Sequence, residues 1–131
     1  EQMRLPTQAE WEQAARHGAT APKDAAPDYP WRGPFESWRA NTEESGLQQT
    51  TPVCMYPDGR TAGDVWDMSG NVWEWTNDSS EGASEMYYLK GGSYDLEAEA
   101  ANASAVAESD AKEWYPFDGF RVLVASISRS G

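Results

Sequence analysis

Nine residues, Asp67-Met68-Ser69-Gly70-Asn71-Val72-Trp73-Glu74-Trp75, constrain this chain more than any other segment. They place two tryptophans, a turn glycine, an asparagine and two carboxylates in one short run. The tryptophans bury large areas and anchor the run in a core. An aspartate and a glutamate on either side of a glycine turn can bring their carboxylates and the intervening backbone carbonyls onto one hard cation, because calcium is bound by oxygen ligands from flexible loops. The segment is a candidate calcium site.

A core built on such a loop has to be small. The chain has 131 residues and no shift of composition along it, which is the size of one domain. Only 39% of its residues are hydrophobic, but seven tryptophans and six tyrosines supply area, so the core is expected to be aromatic rather than aliphatic. The net charge of -12 argues against nucleic acid, whose phosphates need lysine and arginine, and against anionic membrane surfaces. Cations or basic partners fit better. Cys54 is the only cysteine and His17 the only histidine, which excludes an internal disulfide and a typical zinc site. No apolar run approaches the roughly 18 residues of a membrane span. The beginning at Glu1, without an initiator methionine or signal peptide, reads as that of a processed or excised chain.

Thr7-Gln8-Ala9-Glu10 has the form of a capping box, which predicts a helix from about Gln8 to Arg16, with Gly18 placed to end it. His17 would cap that helix, its charge favourable against the dipole. From Ala19 to Ala62 the text is rich in proline, glycine and polar residues, with aromatic islands at Tyr29 to Trp31 and Phe35 to Trp38. This predicts a long irregular region held by aromatic anchors. Thr76 to Ala83 reads as a polar loop, and Met86 to Tyr94 as a strand running into the Gly91-Gly92 pair. Gly119 to Ala125 reads as a second, nearly continuous apolar strand in a central position. Asp95 to Asp110, dominated by alanine and glutamate, is a helix on propensity alone.

Seven motifs occur in a fixed order: RLPTQAEWEQAAR (Arg4 to Arg16), YPW (Tyr29 to Trp31), AN (Ala40, Asn41), TTPV (Thr50 to Val53), DMSGNVWEWT (Asp67 to Thr76), GGSY (Gly91 to Tyr94) and GFRV (Gly119 to Val122). Together they closely resemble the sulfatase-modifying, formylglycine-generating enzyme family. The resemblance implies an α+β fold, a variant of the C-type-lectin-like type with small antiparallel sheets and much irregular backbone, over the single domain 1–131. It also implies an irregular connection, not a helix, over Asp95 to Asp110, and that form is preferred because its flanking motifs are intact.

Three departures from the family pattern bear on function. The family's oxidases carry two cysteines after GGS that bind copper and oxidise a substrate cysteine. Here those positions hold Leu96 and Ala101, and a soft copper ion has no thiolate to bind, so a catalytic site and copper are not expected. The arginine-rich segment that the family carries before GFRV reads Asn102-Ala103-Ser104-Ala105-Val106, without arginine. The resemblance implies a strand and a helix upstream of RLPT, where this sequence starts, so a cleaved upstream segment or a second chain is expected to complete the sheet, the alternative being a minimised domain.

For calcium, the resemblance implies Asp67 and Glu74 by side chain and Gly70 and Val72 by backbone carbonyl. A second, weaker site would map to Asn41, Thr42, Ser45 and Leu47, with Ser45 where an aspartate is expected and Glu43 or Glu44 as substitutes. Trp11, Trp31, Trp66, Trp73 and Trp75 are expected in the core, whereas Trp38 and Trp114 lie in polar surroundings that suit a ligand-facing role. Residues 94–118 carry seven acidic residues against Lys112 alone, and in the family this segment is the substrate or ligand surface. An acidic, aromatic-tipped surface of Tyr94, Asp95, Glu97, Trp114, Tyr115 and Phe117 would suit a basic protein or peptide.

The expected function is therefore a non-catalytic, calcium-stabilised binding domain, with the variable protein of a diversity-generating retroelement as one specific form. The alternative is an enzyme or maturation factor of the family that uses chemistry other than two-cysteine copper oxidation. A secreted, periplasmic or surface-displayed location suits the binding domain.

Overall fold

Thr7 accepts the Glu10 amide at 3.2 Å and the Glu10 carboxylate accepts the Thr7 amide at 3.0 Å, so a reciprocal capping box starts helix α1 (Gln8–Ala15). Arg4 forks onto the same carboxylate at 2.7 and 2.8 Å. In this computed structural model residues 1–16, 27–80 and 85–126 are described. Arg16 caps the helix, its amide donating to Glu12 and Ala14 carbonyls. The expected stop at Gly18 and the role read for His17 lie outside the described residues.

Strands β2 (Trp73–Ser79), β3 (Met86–Lys90) and β4 (Val106–Asp110) form an antiparallel meander, and the two-residue β5 (Asp118–Gly119) joins β2 in parallel, giving the order β4-β3-β2-β5. A separate two-stranded sheet pairs β1 (Gln2–Arg4) with β6 (Leu123–Ala125), Met3 opposite Val124. Residues 27–62 are irregular apart from short 3-10 turns at Glu43–Ser45 and Pro57–Gly59, as the punctuation of the sequence predicts.

Several local expectations are corrected. Thr76 to Ser79 extends β2 instead of opening a loop, with the Thr76 hydroxyl donating to the Tyr88 carbonyl across the sheet at 2.8 Å. β3 stops at Lys90 because Gly91 and Gly92 take φ of 101° and 72°, turning the chain out of the ladder. The run from Gly119 to Ala125 is not a central strand. Its side chains alternate, with Phe120, Val122 and Val124 exposed and Arg121 turned inward, so the chain leaves one sheet at Gly119 and enters the other at Leu123. Between Asp95 and Asp110 there is no α-helix; a 3-10 turn at Ala98–Ala101 precedes β4, which the alanine-rich composition conceals. Gln2 to Arg4, running into the RLPT motif, pair with β6.

The core is centred on tryptophan. Trp11, Ala15, Met68 and Ala103 form one buried cluster, and Trp31, Trp73 and Leu89 are also buried. Trp66 and Trp75 are half-buried. Trp31 stacks on Tyr29 at 5.4 Å and meets Phe35 at 6.0 Å, an aromatic triad that organises residues 27–35 where no ladder exists.

The capping box has an acid signature. The hydrogen bond from Arg4, and then that from Thr7, hold the Glu10 carboxyl at about 2, below its ordinary 4.5. A depressed carboxylate stabilises the fold above its unfolded value and loses that effect as pH falls through the folded one. Glu10→Gln is expected to flatten the fall of melting temperature between about pH 4.5 and pH 2. Unchanged slopes in thermal denaturation would show that the box contributes nothing to acid stability.

Candidate functional site

The segment Asp67 to Trp75 is a loop feeding β2, and its backbone is left-handed at three of its first five residues: Asp67 (φ 56°), Gly70 (φ 73°) and Asn71 (φ 71°). Aspartate and asparagine tolerate that region better than other side chains. Gly70 has no substitute. A Cβ there would lie 2.3 Å from the Asn41 carbonyl, which is the acceptor of the Asn71 amide at 2.7 Å. The Gly70 amide donates to Gly91 at 2.7 Å, the Asn71 carbonyl accepts from Tyr94, and the Ser69 hydroxyl donates to the Ala101 carbonyl at 2.6 Å. The Asn71 side chain accepts the Thr51 amide at 2.9 Å and an Asn41 amide hydrogen at 3.3 Å. One loop thus holds together the AN, TTPV and GGSY segments.

Glu74 closes the arrangement. Its carboxylate is buried, and Arg121 forks onto both oxygens, Nε to Oε2 at 2.6 Å and Nη2 to Oε1 at 2.7 Å. The Trp11 indole donates to Oε2 at 2.7 Å. Arg121 also donates to the Trp66 and Asp67 carbonyls at 3.0 and 3.1 Å. Burial disfavours the guanidinium charge, but the hydrogen bonds and charge of Glu74, aided by Asp67, outweigh it and raise the Arg121 pKa. Opposite Glu74 in the register stands Lys90, fully buried, whose ammonium meets Glu12 at 2.6 Å and lies 5.8 Å from the Trp11 ring centroid. The role of Arg121 escaped the sequence reading. A lone arginine in an apolar run requires a buried acceptor, and that signal could have found it.

All four residues expected to hold calcium, Asp67, Gly70, Val72 and Glu74, line one cavity of about 280 Å³, together with Cys54 and Arg121. Asp67 spends Oδ2 on the Cys54 amide at 2.7 Å, and Glu74 Oε1 accepts one donor where it has capacity for two. Their oxygens are of the kind a hard cation takes but fewer than its usual roughly six to eight, and Arg121 already supplies one positive charge to Glu74. Among the described residues no three His, Cys, Asp or Glu side chains cluster to hold a metal, so backbone carbonyls would have to contribute. The second expected set is arranged differently. The Ser45 hydroxyl lies 3.1 Å from Asn41 Oδ1 and 2.6 Å from the Thr42 carbonyl, filling the position between them. Glu44 is committed to the Thr42 hydroxyl and the Ala98 amide, and Leu47 is exposed.

Residues 94–118 bring part of the expected ligand surface together. Trp114 is 84% exposed, and Tyr115 and Phe117 stack with rings 3° from parallel at 5.2 Å. The Tyr115 hydroxyl donates to Glu113, which raises its pKa. Asp118 Oδ2 is buried without a partner among the described residues, and burial, then the nearby charge of Asp95, raise the Asp118 pKa. Asp95 accepts from Ser93. Tyr94 is half-buried. Leu96, Glu97, Glu99, Ala100 and Glu43 line a separate groove of about 370 Å³, and Ala101 is buried beneath the turn. Cys54, exposed on another loop, is not near either position by sequence or by its bonded neighbours.

Residues 1–126 match the Sulfatase-modifying factor enzyme 1-like domain. The chain belongs to that family. It is 36% identical over 114 residues to a formylglycine-generating enzyme of Streptomyces coelicolor, covering 79% of this chain and 34% of that one. It is 35% identical over 102 residues to an inactive C-alpha-formylglycine-generating enzyme 2 of Bos taurus, covering 70% and 31%. The chain thus spans about a third of the length of these curated relatives. Similarity reaches both a relative named as an enzyme and one named as inactive, so particular residues have to decide the chemistry. Among solved structures, Treponema denticola variable protein 1 superposes with a TM-score of 0.74 at 24% identity over 92% of this chain and 46% of that one. The fold is the C-type-lectin-like α+β type of this family, with one short helix, small sheets and much irregular backbone among the described residues.

Removing one member of a buried ion pair leaves the other desolvated, at a cost of about 3–5 kcal/mol. Arg121→Met is expected to lower the unfolding free energy in urea by that amount. A loss below about 1 kcal/mol, the range of an exposed pair, would show that the Glu74 cluster does not organise the fold.

Proposed function

We propose that this chain is a non-catalytic binding domain of the family, presenting residues 94–118 to a protein or peptide ligand. The observation that carries the reading is the exposure of Trp114 at 84% beside the Tyr115–Phe117 stack, flanked by acidic side chains. Exposed aromatic groups with little rotational freedom are the residue types that dominate binding energy at interfaces. Glu113 and Asp118 flank them in sequence, Asp95 lies close enough to Asp118 to raise its pKa, and a chain of net charge -12 selects a basic or amphipathic partner. The positions at which the family's oxidases hold their two cysteines carry hydrocarbon, Leu96 and Ala101, and the only thiol is elsewhere. A retroelement-diversified variable protein is one form that such a domain takes.

Peptides selected from a displayed random library against the intact protein are expected to be rich in arginine and lysine. Trp114→Ala should weaken the selected peptides by about 30-fold, equivalent to about 2 kcal/mol. Selected peptides that bind Trp114→Ala and Tyr115→Ala as tightly as the parent would place the ligand surface somewhere else.

Calcium at Asp67, Gly70, Val72 and Glu74 is part of the same proposal. What supports it is the gathering of all four residues on one cavity with open oxygen capacity. Two carboxylates make a weak site, suited to the millimolar calcium of secreted, periplasmic or surface-displayed proteins. Calcium is expected to raise the melting temperature and EDTA to lower it. Asp67→Asn, which leaves the Glu74 to Arg121 pair intact, should abolish the response. An unmutated protein indifferent to both reagents would remove calcium from the reading.

A further inference from the structure

A cavity of about 380 Å³ is lined by Arg16, Arg32 and Arg60, with Asp58, Thr61, Trp31 and three prolines. Among the described residues that line it, three arginines stand against one carboxylate, the inverse of the balance over the rest of this acidic protein. Arg4, Arg39, Arg60, Lys90, Lys112 and Arg121 each sit against a carboxylate. Arg16 and Arg32 are the two basic side chains of the described residues outside those pairs, and both line this cavity.

The walls are held from behind. Arg60 donates Nη1 to the Pro57 carbonyl at 2.8 Å, pairs with Asp64 at 3.3 Å and lies over the Trp66 ring at 5.4 Å. Those contacts occupy two of its five hydrogen-bond donors. Trp31 is fixed by its stack on Tyr29 and by its indole bond to the Pro34 carbonyl at 3.0 Å.

We propose that Arg16, Arg32 and Arg60 form a site for a tetrahedral oxyanion, a phosphate or sulfate group carried by a ligand. The shape of the anion follows from the donor count. One arginine fork engages both oxygens of a planar carboxylate from one edge, whereas a tetrahedral anion presents several edges and so takes forks from more than one arginine. A field that repels anions elsewhere also makes such a site selective, because only an anion that recovers several charge-assisted bonds is retained.

The arginine Nε–Hε signals of the intact protein, followed by NMR during titration with inorganic phosphate, sulfate and acetate at constant ionic strength, test this. Phosphate or sulfate should shift the Arg16, Arg32 and Arg60 signals saturably, and the arm that saturates at lower concentration identifies the anion. Arg32→Ala, on an exposed loop, should weaken binding about tenfold or more, and Arg32→Lys nearly as much because the fork is lost. Lys112→Ala should leave it unchanged. Shifts that follow chloride, acetate binding as tight as phosphate, or equal affinity in Arg32→Ala and Arg16→Ala would each overturn the site.

Discussion

The burial of the Glu74 carboxylate governs the rest of this molecule. A desolvated carboxylate must be met by donors, and the two that meet it come from the ends of the chain, Trp11 from α1 and Arg121 from the segment before β6. Helix, large sheet and small sheet are therefore referred to one pair of oxygens on β2. Arg121 extends the constraint to the Trp66 and Asp67 carbonyls, which fixes the entrance of the loop whose exit carries Glu74 itself. With one eight-residue helix and strands of two to seven residues among the described residues, the fold has little regular hydrogen bonding to rely on. A polar cluster does the organising instead.

That arrangement explains why the family was legible in the sequence. The quoted motifs are scattered over more than a hundred residues, yet Asn41, Thr51, Asn71, Gly91, Arg121 and Trp11 all touch the loop or its glutamate. Each residue type answers a local demand, such as the Asn41 carbonyl leaving no room for a Cβ at Gly70. The capping box of α1 was legible for the same reason, because Thr7 and Glu10 satisfy each other within four residues and need no tertiary context.

What was hidden depends on partners distant in sequence. The run after Gly119 has the composition of a buried strand, but composition does not say that Arg121 is drawn inward and its neighbours left outside. β4 was concealed by alanine and glutamate, poor strand formers that pair because β3 offers Tyr87 to Leu89 as a template. The ligand loops of the candidate calcium site could be named from the motif, whereas the claim of Arg121 on the same carboxylate could not. Nor could the meeting of Arg16, Arg32 and Arg60, which lie up to 44 positions apart and share no pattern.

The bonds that hold the stretch from Tyr94 to Asp118 to the scaffold are made largely by main-chain atoms. Trp73 donates to the Phe117 carbonyl, Tyr94 to that of Asn71, Glu43 to that of Leu96 and Ala103 to that of Asp28. Such bonds are indifferent to side-chain identity. The scaffold thus separates the letters it needs from those it merely carries: Gly119, whose Cβ would lie 2.8 Å from the Val72 side chain, is fixed, while Glu113 and Trp114 can be rewritten freely. A lineage holding this framework can exchange the exposed side chains of this stretch without refolding its core.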